Sequence, residues 1–312
     1  DAGRAADLYD AVVVGGGPAG LAAALYLARA RYRVLVVEKD TFGGQITITA
    51  EVVNYPGVEK TEGHSLTETM RRQARHFGAE FLLAEAQGID VDGDFRIVRT
   101  SRGAFRCFAV LLATGAHPRK VGFEGEETFR GRGVAYCATC DGNFFRDQVV
   151  AVVGGGNSAL EEALYLSRIA SKLYLIHRRE GFRAAKVYQD KIHAASDKIE
   201  LVLDTVVTGL MGEDSLQGLH LKNVKTGEET QLPVDGMFVF VGYEPQNSFL
   251  PAGLELDPQG FIITDCEMRT NLPGLFAAGD IRSKMCRQVT TAVGDGATAA
   301  TAAFTYLEQL DA

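Results

Sequence analysis

Tyr9–Gly20 reads YDAVVVGGGPAG, and 139 residues further on Gln148–Ala159 reads QVVAVVGGGNSA. Each stretch opens on a β-branched run, the pattern of a strand buried on both faces in a parallel sheet. Each then passes through glycines into a segment with apolar residues at helical spacing. In the second, Leu160, Ala163, Leu164 and Ser167 share one face. A further apolar run closes each unit, Arg33–Val37 in the first and Lys172–Ile176 in the second. Two βαβ units in one chain predict an α/β fold with two Rossmann-like nucleotide sites.

The remaining segments arrange themselves around these units. Phe95–Thr100 and Phe105–Leu112 read as strands attached to the first. Pro118 and the glycines after it predict a crossover near 115–120, and the apolar run Gly236–Val241, ending at Gly242 before Pro245, predicts a second near 243–248. Leu275–Ala278 reads as a short strand and Gly294–Leu310 as an Ala/Thr-rich helix. The expected organisation is therefore a domain over 117–246 inserted into one formed by 1–116 and 247–312.

At 312 residues, the chain can build two ordinary cores. Its net charge of −8 argues against nucleic acid or an anionic membrane as partner. No apolar run is long enough to span a bilayer, and Asp1 to Asp10 lack the basic and apolar regions of a secretory leader. Five cysteines, an odd and sparse set, do not form a secreted disulfide scaffold; a reducing cytoplasm fits better, and there a disulfide is more often catalytic than structural.

In the first cradle, Gly15 permits a tight turn, Gly17 admits a pyrophosphate to the backbone, and Gly20 lets helix and strand pack closely. The helix N-terminus adds free N–H groups and partial positive charge. Glu38 ends the next strand, where a carboxylate meets ribose hydroxyls. The second cradle, Gly154, Gly156 and Ala159, has no such acid. Its closing strand runs into His177, Arg178 and Arg179, with Arg183 following. Guanidiniums at the ribose end suit a 2′-phosphate, and so NADPH over NADH.

Cys137-Ala-Thr-Cys140-Asp141 precedes the second cradle. Such a pair is half a zinc site or a redox couple, and no second pair of ligands is apparent. Cys107, Cys266 and Cys286 are scattered singly and read as small core residues. Asp141 stands where a thiolate gains or loses its proton, or serves as a plain turn residue.

Together with Gly43-Gly44-Gln45, Asn54-Tyr55-Pro56-Gly57, Ala113-Thr114-Gly115, Phe182-Arg183-Ala184, Phe276-Ala277-Ala278-Gly279-Asp280 and Arg287-Gln288, these motifs resemble the low-molecular-weight (bacterial-type) thioredoxin reductases over essentially the whole chain. Those enzymes belong to the FAD- and NADPH-dependent pyridine nucleotide-disulfide oxidoreductases. The resemblance implies two three-layer ββα domains, an outer one for FAD and an inserted one for NADPH, and a homodimer that reduces thioredoxin or a thioredoxin-like protein. It implies FAD contacts at Gly15, Gly17, Pro18, Ala19, Gly20, Glu38 and Lys39. Further FAD contacts implied are Gly44, Gln45, Asn54, Ala113, Thr114 and Gly115, with Gly279, Asp280 near the ribityl chain, Arg287, Gln288 and Val289. For NADPH it implies Gly154, Gly156, Asn157, Ser158, Ala159, His177, Arg178, Arg179, Arg183 and Gly242. By the same likeness, Cys140 faces the flavin, Cys137 attacks the substrate disulfide, and Asp141 is the general acid.

Asn157 departs from the acid usual in the family at that point. An Asn at the head of the helix caps about as well as Asp, so the turn is expected to survive. Relatives fed by ferredoxin or by another reduced flavin carrier lack the Arg cluster. A same-fold enzyme with such a donor, or one acting on a small-molecule dithiol, is the neighbouring reading; a zinc-bearing or flavin-sensing regulator is the distant one. Cys286 is the last cysteine, so no second dithiol can relay electrons outward. One pair must face both flavin and partner, which predicts rotation of the inserted domain on Ala116–Gly122 and Gly242–Gln246.

Overall fold

The computed structural model describes residues 8–49, 51–123 and 125–310. Most of the opening segment read for a leader, residues 1–7, lies outside these. The chain divides into two compact units, Asp1–His117 with Glu244–Ala312, and Pro118–Tyr243. The divisions fall after His117 and Tyr243, against the expected breaks after residues 116 and 246. Short strands β7 (Ala116–Pro118) and β16 (Tyr243–Pro245) mark the two crossings.

In the first unit, β1 (Leu8–Val14) pairs in parallel with β2 (Val34–Glu38) and with β6 (Gly103–Leu112). Val12, Val13 and Val14 lie against Leu35, Val36 and Val37 on one side and Val110, Leu111 and Leu112 on the other. Burial on both faces explains the unbroken apolar runs. β3 (Glu80–Leu83) extends one edge, and β5 (Phe95–Thr100) and β4 (Ala86–Asp92) pair antiparallel beyond β6. From the returning chain, β17 (Leu275–Ala277) pairs with the end of β6. Helices α1 (Pro18–Arg29), α2 (Gly63–His76) and α6 (Val289–Leu310) complete the unit. One core lies between α1, α6 and the sheet, and a second lies on the opposite face, where Ile89 and Val98 meet Val12 and Val14.

α6 begins at Val289, earlier than the Gly294 expected. The Gln288 N–H donates to Thr291 Oγ1 (3.2 Å), a side-chain bond reaching back to the helix start that a β-branched, glycine-interrupted sequence conceals. One of its glycines is needed for contact. A Cβ on Gly296 would lie 2.1 Å from the Ala19 carbonyl oxygen, so only glycine lets α6 approach α1 there.

In the second unit, the parallel sheet runs β11 (Ile199–Val202), β10 (Lys172–Ile176), β9 (Val149–Gly154), β15 (Gly236–Phe240), β8 (Val134–Ala135). α4 (Asn157–Leu166) and α5 (Lys186–Ala194) cover one face. An antiparallel sheet of β12 (Thr205–Met211), β13 (Gly218–Asn223) and β14 (Glu229–Pro233) covers the other, with Val207, Leu219 and Leu221 against Val153, Met237 and Val239. Each unit is thus a three-layer Rossmann-type domain.

Candidate functional site: two phosphate cradles and a dithiol

Gly15, at the end of β1, has φ +110°, and a Cβ there would strike the Ala113 carbonyl. A Cβ on Gly20 would lie 1.9 Å from the Gly15 carbonyl oxygen. Those two glycines press strand, turn and helix together. Gly17 differs: it caps α1, Pro18 takes the first helical position, and the nearest atom to a Gly17 Cβ is Gly44 Cα at 3.9 Å. The helix N-terminus therefore faces open space of the kind a diphosphate fills. Glu38 closes this loop by accepting from the Gly16 N–H (2.7 Å) and the Asp40 N–H (3.0 Å). Lys39 Nζ reaches Gln246 Oε1 (3.3 Å), and Thr114 Oγ1 donates to the Gln246 carbonyl (2.8 Å). Glu38, Lys39, Gly15, Thr114 and Gln246 line one open cleft.

Other expected residues gather in the same unit. Gln45 donates to the Ala116 carbonyl, and Asn54 Nδ2 donates to Gln288 Oε1 (3.2 Å). Gly279 takes φ +78°, and Asp280 follows with Oδ1 buried and unpartnered. Burial raises the Asp280 carboxyl pKa, while Lys284 and Arg287 oppose the rise. An orphaned acceptor of this kind costs free energy unless a ligand hydroxyl meets it. Open helix tip, terminal strand acid and orphaned carboxylate together fit FAD. Arg287 lies over the Phe261 ring (4.1 Å) and directs Nε to the Asp280 carbonyl (3.5 Å).

The second cradle repeats the plan with other residues. A Cβ on Gly154 would meet the Ala159 Cβ and the Phe240 carbonyl, whereas a Cβ on Gly156 would meet nothing within 4 Å. Gly156 is itself the α4 cap. Asn157 is the first helical residue, and its Oδ1 accepts from the Ala185 N–H (2.7 Å), so it ties the loop after β10 to the cradle instead of capping the helix as expected. Ser158 is exposed beside it. The His177 ring stacks on Phe182 (5.3 Å) and would be struck by a Cβ on Gly155. Burial, with Arg178, Arg179 and Arg183 nearby, lowers its pKa, and its Nε2 has no hydrogen-bond partner. It walls the glycine turn. The guanidiniums of Arg178, Arg179 and Arg183 are exposed and make no hydrogen bond or ion pair with any described residue. Three uncommitted guanidiniums beside an open helix tip fit a 2′-phosphate. The carbonyl of Gly242 accepts from the Arg119 N–H (2.8 Å), joining the two chain crossings within this unit.

Cys137 and Cys140 form a disulfide, with Cα atoms 5.3 Å apart. Cys137 caps the one-turn helix α3 (Ala138–Asp141), and its Sγ accepts from the Cys140 N–H (3.2 Å). Burial pushes the Asp141 carboxyl up to about 6, Arg130 partly opposing it. Cys107 is buried as expected, but Cys266 and Cys286 are exposed. Cys266 follows Asp265, whose Oδ1 organises a tight turn by accepting from Glu267 and Arg269 N–H groups. Cys286 lies in the loop before α6. Neither position carries an apolar period that would have buried it. Among the described residues, no three His, Cys, Asp or Glu side chains gather as a metal site.

Sequence reading missed Glu126. Buried to 3% exposure, it accepts from the Val121 N–H (3.0 Å), the Gly122 N–H (2.8 Å) and Tyr136 Oη (2.7 Å). Tyr136 directly precedes Cys137, and its carbonyl accepts from Tyr243 Oη (3.3 Å). Both crossings and the dithiol segment are thus tied into one network. No motif marks it. The only signal is a carboxylate a short step before an apolar strand.

The whole arrangement defines a class. The model of the pyridine nucleotide-disulphide oxidoreductases matches residues 9–296, and the chain belongs to that family. It is 45% identical to the thioredoxin reductase of Peptoclostridium acidaminophilum, over 97% of this chain and 98% of that one. Against the thioredoxin reductase of Listeria monocytogenes the identity is 44%, over 97% and 95%. The solved thioredoxin reductase of Streptococcus pyogenes superimposes with TM-score 0.92 at 43% identity, covering 97% of this chain and 99% of that one. That of Lactococcus lactis, in what is described as the FR conformation, gives 0.67 at 43%, covering 96% and 99%.

Proposed function

We propose that this chain is an NADPH-dependent thioredoxin-disulfide reductase, a flavoprotein oxidoreductase that works in the cytoplasm as a homodimer. Among the described residues, no helix is long and apolar enough to cross a membrane. The observation that carries the reading is the Cys137–Cys140 disulfide, set in the unit that holds the arginine-marked cradle. Gly15, Gly17, Gly20, Glu38 and Asp280 would hold FAD, with Gly44, Gln45, Asn54 and Gln288 toward its ring. Gly154, Gly156, Asn157 and the three arginines would hold NADPH. FAD, when bound, supplies a two-electron relay between nicotinamide and disulfide.

The chain's own residues do the rest. Two electrons and two protons convert the disulfide into two thiols. The Cys137 thiolate attacks a sulfur of the partner's disulfide, forming a mixed disulfide and releasing one partner thiolate. The Cys140 thiolate then attacks Cys137 Sγ, which releases the second partner thiolate and restores the internal bond. Asp141, raised by burial to about 6, holds a proton near neutral pH better than an exposed carboxylate and can protonate a leaving thiolate. Facing both donor and partner requires the inserted unit to turn on its crossings.

The deciding experiment uses the flavin-loaded protein. Cys137→Ser is expected to keep flavin bleaching by NADPH while turnover of thioredoxin falls by more than about 10³-fold, the scale of losing a nucleophile. Full turnover in that variant would end the assignment.

A further inference from the structure

Asp295 sits in the first turns of α6, a helix otherwise built here from Ala, Gly, Thr and Val, and is only 9% exposed. Its carboxylate accepts from the Gly279 N–H (3.1 Å), from Arg282 Nη1 (3.2 Å to each oxygen) and from Lys284 Nζ (2.7 Å). The Lys284 side chain is itself 7% exposed and also donates to Thr291 Oγ1 (3.1 Å). A charge so buried is tolerated only when paired and hydrogen-bonded, and here one bond fastens a short turn while the two cationic partners, Arg282 and Lys284, follow it in the chain. That turn is Gly279–Asp280. Its glycine is left-handed at φ +78° and lies against α1, since a Cβ would stand 2.8 Å from Ala19 Cβ. The next residue carries the orphaned Oδ1.

We propose that Asp295 is a positioning residue: by gripping the Gly279 N–H and two buried cations, it fixes the turn so that Asp280 Oδ1 is already aimed at a polyol hydroxyl before the flavin arrives. The inference rests on the FAD reading above. Three cations, Arg282, Lys284 and Arg287, stand with two carboxylates, so neither acid faces an uncompensated like charge. In this proposal Asp295 acts from behind the turn, through its bonds to Gly279, Arg282 and Lys284. Its effect passes wholly through Asp280, and this distinguishes it from a residue that merely stabilises the helix. An apolar helix with a single buried acid gains nothing in propensity from that acid, and its partners all belong to the loop before the helix.

The test is a double-mutant cycle on the full-length apoprotein, titrated with FAD by quenching of flavin fluorescence. Wild type that takes no FAD overturns the cofactor reading itself, a result distinct from failure of this proposal. With wild type binding, Asp280→Asn is expected to weaken FAD by about 10–100-fold and Asp295→Asn by about 10-fold, the scale of lost bonds to a charged group. The double variant should bind within about threefold of Asp280→Asn alone, because groups acting as a unit are not additive. Binding by Asp295→Asn within about twofold of wild type, or a double loss equal to the product of the single losses, overturns the proposal. Near-UV circular dichroism reports whether each variant is folded. Should Asp295→Asn fail to fold, amide exchange in wild-type apoprotein decides. The Gly279 N–H must be protected before FAD is added, and exchange at exposed-loop rates would refute pre-positioning.

Discussion

The two cradles are one device built twice, and their differences are more instructive than their likeness. Both place a glycine with open space at the helix cap, Gly17 and Gly156, where under the proposed function a phosphate would approach. They differ one turn later. At Gly20 a Cβ would run into backbone at 1.9 Å, while Ala159 has its Cβ packed at 0% exposure. They differ again at the end of the second strand, where Glu38 closes the first loop and Arg178, Arg179 and Arg183 stand uncommitted by the second. Helix-to-strand closeness and the charge at the end of the second strand are thus set independently of the open glycine at the helix cap.

The sharpest way to break this comparison is to exchange the third residue. Gly20→Ala drives a methyl into the Gly15 carbonyl, a contact that backbone cannot relieve cheaply. A loss of about 3 kcal/mol or more is expected, with failure to retain FAD after gel filtration. Ala159→Gly removes a buried methyl and should cost only about 1–2 kcal/mol in urea unfolding. Equal effects would mean that the two helices pack alike after all.

Next in size is the ribose end. Arg178→Ala should raise the KM for NADPH by about 10–100-fold, since a charge-assisted bond is worth about 1.5–3 kcal/mol. The KM for NADH should change little. An equal loss for both nucleotides would show that the arginines serve only general attraction.

The smallest effect concerns the acid beside the dithiol, which neither cradle contains. Asp141 has its carboxyl raised to about 6 from an ordinary 3.8. Between those values the folded protein keeps a proton that the unfolded chain has lost, so stability falls as pH rises through that window and stays lower above it. Asp141→Asn abolishes the penalty. At pH 7.5 its Tm should exceed wild type by about 2–4 °C, and the advantage should vanish below about pH 4. A variant no more stable than wild type at neutral pH would show that the carboxyl is well solvated.

Much of this was legible because the relevant signals are short-range. A β-branched run, a glycine turn and a helix fall within one βαβ unit, so spacing alone located both cradles. Cys137, Cys140 and Asp141 announce themselves by adjacency. The misreadings share a cause as well. Asn157 stands where a cap belongs, yet its partner is Ala185, 28 residues away. The start of α6 depends on a bond from Gln288 to Thr291 inside a segment of poor helix formers. Exposure of Cys266 and Cys286 follows from turns and loops that no apolar period marks.

The amino-acid sequence by itself determined the two βαβ folds, the cysteine pair and the sign of charge at the end of each second strand, because these depend on residues within a few positions of one another along the chain. Tertiary structure alone decided what holds them in place: Asp295 under the Gly279 turn, Glu126 across to Tyr136, Asn157 across to Ala185. Each of these is a polar side chain meeting a polar group that only folding brings near. Its value lies in satisfying that group once water has been excluded, and linear sequence does not record which groups those will be.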